Sequence, residues 1–226
     1  MKSSYQQTVA VITAGGQGTR MGTALPKQFL DLNGKPVLYH TIKAFRDAIP
    51  GIEIILVLPP HQISYMQMVL KEFEERIDLT IVAGGETRFH SVQNGLKELP
   101  EDSIIMVHDG VRPLASTSLI QRCHQQAIEK GSAIPAIAAT DSLRIVDDED
   151  SHPLDRSVVR MIQTPQTFRG DILLPAFQQE YNDAFTDEAS VVEAAGGTVF
   201  LVEGEKRNIK ITTPEDMVIA AALMKI

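Results

Sequence analysis

Thr8-Val-Ala-Val-Ile-Thr-Ala14, followed at once by Gly15-Gly16, is the stretch that decides the fold. A short run of apolar and β-branched residues reads as a buried strand, and the glycine pair ends it in a loop. Comparable runs recur at 52–58, 79–82, 104–107 and 133–138, with helically spaced segments between them at 38–48, 63–77, 91–99 and 118–130. Strands alternating with helices imply an α/β fold, an open, doubly wound and mostly parallel sheet covered on both faces. Such sheets take their ligands beyond the carboxyl ends of the strands. The glycine loop stands there by construction, and so does His108-Asp109-Gly110.

The alternation breaks after Thr140. Asp141-Ser-Leu-Arg-Ile-Val146 reads as a strand, Asp147-Asp-Glu-Asp150 as a charged turn, and Ser157-Val-Val-Arg-Met-Ile162 as the strand returning. A two-stranded excursion is marginal alone and packs on something else. It is either a flap on its own chain or an arm that grips a second subunit. A helix near 187–195 and a strand at 198–202 follow. Thr213-Pro-Glu-Asp216 opens the last helix, with Thr as N-cap, Pro at the first position and acids in the first turn. No internal repeat interrupts the chain, so 1–226 reads as one domain with the arm at about 141–162.

The 226 residues, 43% hydrophobic and 22% charged, have the mix of an ordinary globular protein and can bury a core without disulfides or a structural metal. Cys123 is the only cysteine, which excludes an intrachain disulfide and a multi-cysteine zinc site. The histidines are scattered without ligand spacing. No apolar run approaches the roughly 20 residues that cross a bilayer, and residues 1–7 are short and polar, unlike a secretory signal. The expected setting is the cytoplasm, with no membrane partner. A net charge of −8 argues against a nucleic-acid partner, which would need a basic field. An anionic small molecule remains open if its cations cluster in loops.

Ala14-Gly-Gly-Gln-Gly-Thr-Arg-Met-Gly22 fails the dinucleotide fingerprint at Met21. The P-loop pattern fails as well, because Gly34-Lys35 is followed by Pro36 and Asn33-Gly34 reads as a tight turn. There remain glycines that let backbone N–H groups approach a polyphosphate, with Arg20 in the loop and Lys27 just after it. The plainer reading is a chain turn flanked by two solvated cations.

That loop, with Pro26-Lys27-Gln28-Phe29-Leu30, resembles the opening of sugar-phosphate nucleotidyltransferases. More closely it resembles the 2-C-methyl-D-erythritol 4-phosphate cytidylyltransferase family of the non-mevalonate isoprenoid route. The likeness continues in order through Gly84-Gly85-Glu-Thr-Arg88 with Ser91-Val92, similar to the family's base loop, and His108-Asp109-Gly-Val-Arg112-Pro113, similar to its His-Asp-x-x-Arg-Pro motif. Thr164-Pro165-Gln166, Thr186-Asp187-Glu188-Ala189-Ser190 and Gly204-Glu-Lys-Arg-Asn208-Ile-Lys210-Ile-Thr212 complete it. The resemblance implies that Ala14, Gly15, Gly16, Gln17 and Gly18 cradle the triphosphate of CTP, and that Gly85, Arg88 and Ser91 lie near cytosine and ribose. It implies that Asp109 faces the ribose and the Mg²⁺-bound phosphates, and that Arg112, Thr164, Thr186 and Lys210 hold the acceptor. Ser142 and Arg156 would reach into the active site of a partner subunit, making a homodimer with exchanged arms. The chain departs from the family at Gly110-Val111, where two Ala are common, at His90, where an acid is more usual, and at Ser142, which replaces Thr but keeps the hydroxyl.

The implied chemistry needs no general base, because a phosphate monoester with a second pKa of about 6 is already a nucleophilic dianion. In-line placement and positive charge over the phosphoryl oxygens are what it needs. Arg20 and Lys27 are the expected charge stabilisers, Arg156 and Lys210 the residues that place the incoming phosphate, and Asp109 the helper of Mg²⁺. Ordinary readings stand beside these. Asp109 can cap a turn before Pro113, Thr186 can cap a helix, His108 can be a buried, positioned histidine, and Cys123 a small buried apolar residue. The competing functions are a ribitol 5-phosphate cytidylyltransferase, from which the Thr186–Ser190 motif leans away, and a non-catalytic nucleotide sensor on the same fold. The joint presence of Arg20, Lys27, Arg156 and Lys210 stands against the sensor.

Overall fold

The computed structural model describes residues 5, 7–16, 21–22, 24–147 and 150–226. β1 (Gln7–Thr13) lies inside the main sheet, parallel to both β4 (Glu53–Leu58) and β6 (Ser103–Asp109). Val9 and Val11 enter one core cluster, Ala10 and Ile12 the other, and all four are wholly buried. A strand with a core on each face is apolar at every position, which is why this segment reads as an unbroken run. β5 (Thr80–Ala83) extends the parallel set beyond β4.

Two layers of helices cover the sheet. α1 (Val37–Ala48) and α4 (Thr117–Lys130) deliver Ile42, Phe45, Leu119 and Cys123 to one face. α3 (Arg88–Leu96), α5 (Gly170–Ala176) and α6 (Glu188–Ala194) deliver Phe89, Val92, Leu173 and Val192 to the other. Each fully buried side chain of this size contributes about 1.5–3 kcal/mol. Cys123 is an inert part of that core, its thiol pushed up to about 12 by burial. A smaller cluster packs α7 (Pro214–Leu223) against the hairpin of β2 (Asp31–Leu32) and β3 (Lys35–Pro36). In that hairpin Asn33 and Gly34 have φ of 54° and 87°, as a two-residue turn between twisted strands requires. α7 starts as read: Thr213 caps it and Asp216 returns the bond.

The doubly wound, mostly parallel reading holds, with differences in detail. β7 (Ser132–Ala138) pairs parallel with β12 (Leu201–Glu203). Between β6 and β7 lies β11 (Gln166–Arg169), antiparallel to both. The segment read at 63–77 as one helix is a 3-10 turn (Pro60–Tyr65) and a short α2 (Met66–Leu70). Beyond Leu70 its apolar spacing rests on Phe73 and Ile77, and Phe73 turns aside to pack on Tyr39 with ring centroids 4.5 Å apart. α3 begins three residues earlier than read, because Thr87 caps it. The excursion is a two-stranded sheet of β8 (Leu143–Asp147) and β9 (Asp150–Leu154). The strand read as returning, 157–162, instead gives β10 (Arg160–Ile162), antiparallel to β7 in the main sheet.

Candidate active site

The carboxyl ends of β1, β5 and β6 open on one cleft of about 360 Å³. Ala14, Gly15 and Gly16 continue β1 into its wall, and Gly85, Arg88 and Ser91 close the opposite side. The walls are tied to the sheet: Ala14 N–H donates to Val57 O, Gly84 N–H to Leu58 O and Gly110 N–H to Thr13 O. Gly110 is there for closeness, since a Cβ at that position would stand 2.9 Å from Ala14 Cβ. Gln17, Gly18 and Arg20 lie outside the described residues.

Lys27 and Lys210 reach the cleft from different parts of the chain. Lys27 is 8% exposed, and its Nζ donates to Ile211 O at 2.9 Å, which fixes the ammonium beside the segment carrying Lys210. Gln28 was not singled out in the sequence. It is wholly buried and its amide donates to Ala14 O and Gln62 Oε1, so it ties the Lys27 turn to the first residue of the glycine loop. The Pro26–Leu30 motif contained it, but its burial depends on Gln62, 34 residues away.

Asp109 is the electrostatic centre. Its Oδ2 receives Arg112 Nε at 3.0 Å and Lys210 Nζ at 3.1 Å, and Oδ1 has Arg88 Nε at 3.8 Å. Burial works to raise its pKa, but Arg88, Lys210 and Arg112 outweigh it and hold the carboxyl well below the usual range. Asp109 is therefore ionised near neutral pH and gathers three cations at one end of the cleft.

Arg88 is also held by Glu188, through bonds of 2.5 and 3.0 Å. Burial opposes its charge, while Glu188 and Asp109 raise its pKa. Glu188, wholly buried, was quoted in a motif but assigned no role, and it is what aims Arg88 into the site. His90 bonds Thr87 Oγ1 through Nδ1 at 2.9 Å and packs edge-on to Phe89. Its Cβ would lie 2.4 Å from a Cβ at Gly85, so glycine is required there.

Thr164 stands at the base of the cluster, buried, with its hydroxyl on Asp109 N and His108 Nδ1. Arg112 reaches Asn208 O through Nη1. Thr186 is exposed beside α6, where the capping residue is Asp187. The capping role weighed for Thr186 thus falls one residue later, because Ser190 completes a capping box with Asp187. Ser142 and Arg156 are exposed at the base of the arm and do not line the cleft. Arg156 donates to Thr140 O. Among the described residues no group of three or more His, Cys, Asp or Glu is arranged to hold a metal, and no helix is long and apolar enough to cross a membrane.

Comparison with known proteins adds to this geometry. The family model for 2-C-methyl-D-erythritol 4-phosphate cytidylyltransferase matches residues 8–226. The protein of that name from Bacteroides thetaiotaomicron is 45% identical over 214 residues, covering 95% of this chain and 98% of the relative. Its counterpart from Bacteroides fragilis is 46% identical over 215 residues, with the same coverage. The crystal structure of 4-diphosphocytidyl-2C-methyl-D-erythritol synthase from Anaerococcus prevotii superposes with a TM-score of 0.82 at 30% identity, covering 99% of this chain and 100% of that one.

Proposed function

This chain belongs to the 2-C-methyl-D-erythritol 4-phosphate cytidylyltransferase family, and from that premise we propose how its cleft works. It transfers the cytidylyl group of CTP to 2-C-methyl-D-erythritol 4-phosphate, giving 4-diphosphocytidyl-2-C-methyl-D-erythritol and pyrophosphate. The observation that carries this reading is the meeting, in one cleft, of a glycine wall, two lysines and an anion ringed by Arg88, Arg112 and Lys210.

CTP lies with its triphosphate along Ala14, Gly15 and Gly16, the same role falling by family likeness to Gln17 and Gly18, and with cytosine and ribose toward Gly85, Arg88 and Ser91. Lys210 and Arg112 receive the acceptor phosphate, with the exposed Thr186 before α6 as a further contact. An acceptor oxygen attacks the α-phosphorus in line, the bond to the β-phosphate oxygen breaks, and pyrophosphate leaves with the electron pair. No proton need move, because the nucleophile is already ionised near neutral pH. Lys27, with Arg20, stabilises the charge that builds on the phosphoryl oxygens. One carboxylate beside substrate phosphates is a donor set that suits Mg²⁺. Asp109 Oδ1, the oxygen beyond hydrogen-bond reach of Arg88, is the atom of this chain that would help hold it. When bound, the ion supplies neutralising charge to the triphosphate.

The arm supports a homodimer. Arg156 and Ser142 stand outside their own cleft, and Val146 on the arm and Val158 at its foot are each 75% exposed. A two-stranded sheet presenting apolar side chains needs a partner surface, and a second copy whose cleft lacks these two residues provides one. The single buried Cys123 suits a reducing, cytoplasmic setting.

The test is pyrophosphate release from CTP and Mg²⁺, with methylerythritol 4-phosphate and ribitol 5-phosphate in parallel. Release that depends on methylerythritol phosphate and fails with ATP is expected. Release with ribitol phosphate alone would reassign the acceptor, and silence with both from folded, CTP-binding protein would leave a nucleotide sensor.

A further inference from the structure

Behind the Asp109 carboxylate, His108 is wholly buried at the end of β6, its ring tilted against Phe45 with centroids 4.9 Å apart. The ring reaches one end of the Asp109–Arg112 turn directly and the other through the Thr164 hydroxyl. Nε2 is 3.1 Å from Arg112 O, and Nδ1 is 2.9 Å from Thr164 Oγ1, which is itself 3.2 Å from Asp109 N. The donor inventory orients every bond. Asp109 N–H can only donate, so Thr164 Oγ1 accepts from it. A carbonyl oxygen can only accept, so Nε2 carries the ring proton and gives it to Arg112 O. Nδ1 is then left as an acceptor, and the Thr164 hydroxyl proton goes to it. The opposite neutral tautomer would set the Nε2 lone pair against a carbonyl oxygen in a site without water access, an arrangement that loses a bond and adds a repulsion. The ring is wholly buried, where a charged imidazolium is disfavoured, so the neutral ring is the form that these bonds orient.

We propose that His108 is a positioning residue for cytidylyl transfer. As the Nε2–H tautomer it staples both ends of the Asp109–Arg112 turn, and so sets the Asp109 carboxylate and, bound to it, the Arg112 guanidinium that receives the acceptor. This inference rests on the cytidylyltransferase reading of the cleft. It also explains a buried Thr164 hydroxyl, which reaches Asp109 through its main chain. The carboxylate is meanwhile held from the other side by Arg112 and Lys210. A turn freed at either end would move both groups relative to the α-phosphorus, and displacements of about 1 Å cost on the order of 10²-fold in rate.

No single amide replaces both bonds. Asparagine places an oxygen near Nδ1 but has nothing at Nε2, whereas glutamine reaches Arg112 O and abandons Thr164. Steady-state pyrophosphate release by His108→Asn, His108→Gln and Thr164→Val should therefore show kcat lower by roughly 10–100-fold and a raised KM for methylerythritol phosphate. The KM for CTP should rise less than that for methylerythritol phosphate, since the turn meets CTP only through Asp109 while the glycine wall lies outside it. Thr164→Ser should restore activity, and joining His108→Asn to Thr164→Val should cost little more than the worse single change. Folded His108 variants with unaltered kcat and acceptor KM would overturn the proposal, as would equal losses toward CTP, which would mean general damage. In case the His108 variants fold poorly, long-range ¹H–¹⁵N correlation on the unaltered protein reads the tautomer directly. The Nε2–H form is expected and the Nδ1–H form would overturn the wiring. An unaltered chain that is inactive with CTP and both acceptors would instead overturn the functional reading, while the tautomer measurement still decides the bond directions.

Discussion

Lys27 shows how a single residue acquires its role from the fold. In sequence it is a cation one position after a proline; in the structure it is buried, anchored on Ile211 O and placed at the cleft. Lys27→Ala should lower kcat by about 10²–10³-fold, with an unchanged circular dichroism spectrum, and near-normal turnover would remove it from the mechanism. His108 carries a second prediction at this scale. Its pKa falls from an ordinary 6.5 to about 4 because burial disfavours the charged ring. Unfolding at acidic pH therefore binds a proton that the folded chain refuses. Stability from this group is fully present above pH 6.5 and is lost as pH falls toward 4, by roughly 3 kcal/mol in total. His40 and His124, lowered by burial, add the same sign. Urea midpoints between pH 7 and 4 should fall, and the fall should be smaller in His108→Asn.

At the scale of the element, caps and close contacts set where helices start and stop. Ser116 and Gly131 bound α4, and Gly131 has φ of 92°. A Cβ added there would meet both left-handed backbone strain and Ile172 Cδ1 at 2.7 Å. Gly131→Ala should destabilise by about 1–2 kcal/mol, seen as a lower urea midpoint with an unchanged slope. Caps were legible in sequence where a Thr, a Pro and acids came together, as at Thr213–Asp216. Thr87 was missed because the apolar spacing after it is weak, and this hid the fact that Arg88 opens a helix. β11 was missed for a related reason. Gln166-Thr-Phe-Arg169 offers one apolar side chain, yet it is an interior strand because β6 and β7 supply its hydrogen bonds.

Across the whole molecule, the arm leaves its own cleft without Arg156 and Ser142, which makes the shared site testable. Lys27→Ala and Arg156→Ala, each nearly inactive alone, should regain about a quarter of the unaltered activity when mixed and allowed to exchange subunits. Half of randomly paired dimers then hold one intact site of two. No recovery after confirmed exchange would mean that Arg156 serves its own chain. The strand assignment changed most here: 157–162 looked like the arm's returning half because it is apolar and follows a turn. In the structure Asp150–Leu154, which includes a proline, pairs with β8, and Arg160–Ile162 joins β7.

The sequence by itself determined the doubly wound sheet, since strands buried on both faces are apolar at every position and β1, β4 and β6 announce themselves. It also determined the cleft's place at the strand ends and most of its lining, because glycine walls and loop cations are local features with family motifs around them. Tertiary structure alone decided the partnerships: Glu188 with Arg88, Gln28 with Ala14, and His108 with Thr164 and Arg112. Those bonds join residues up to 100 positions apart. A buried polar side chain is recognisable only through the partner that satisfies it, and no periodicity in the chain records which partner that will be.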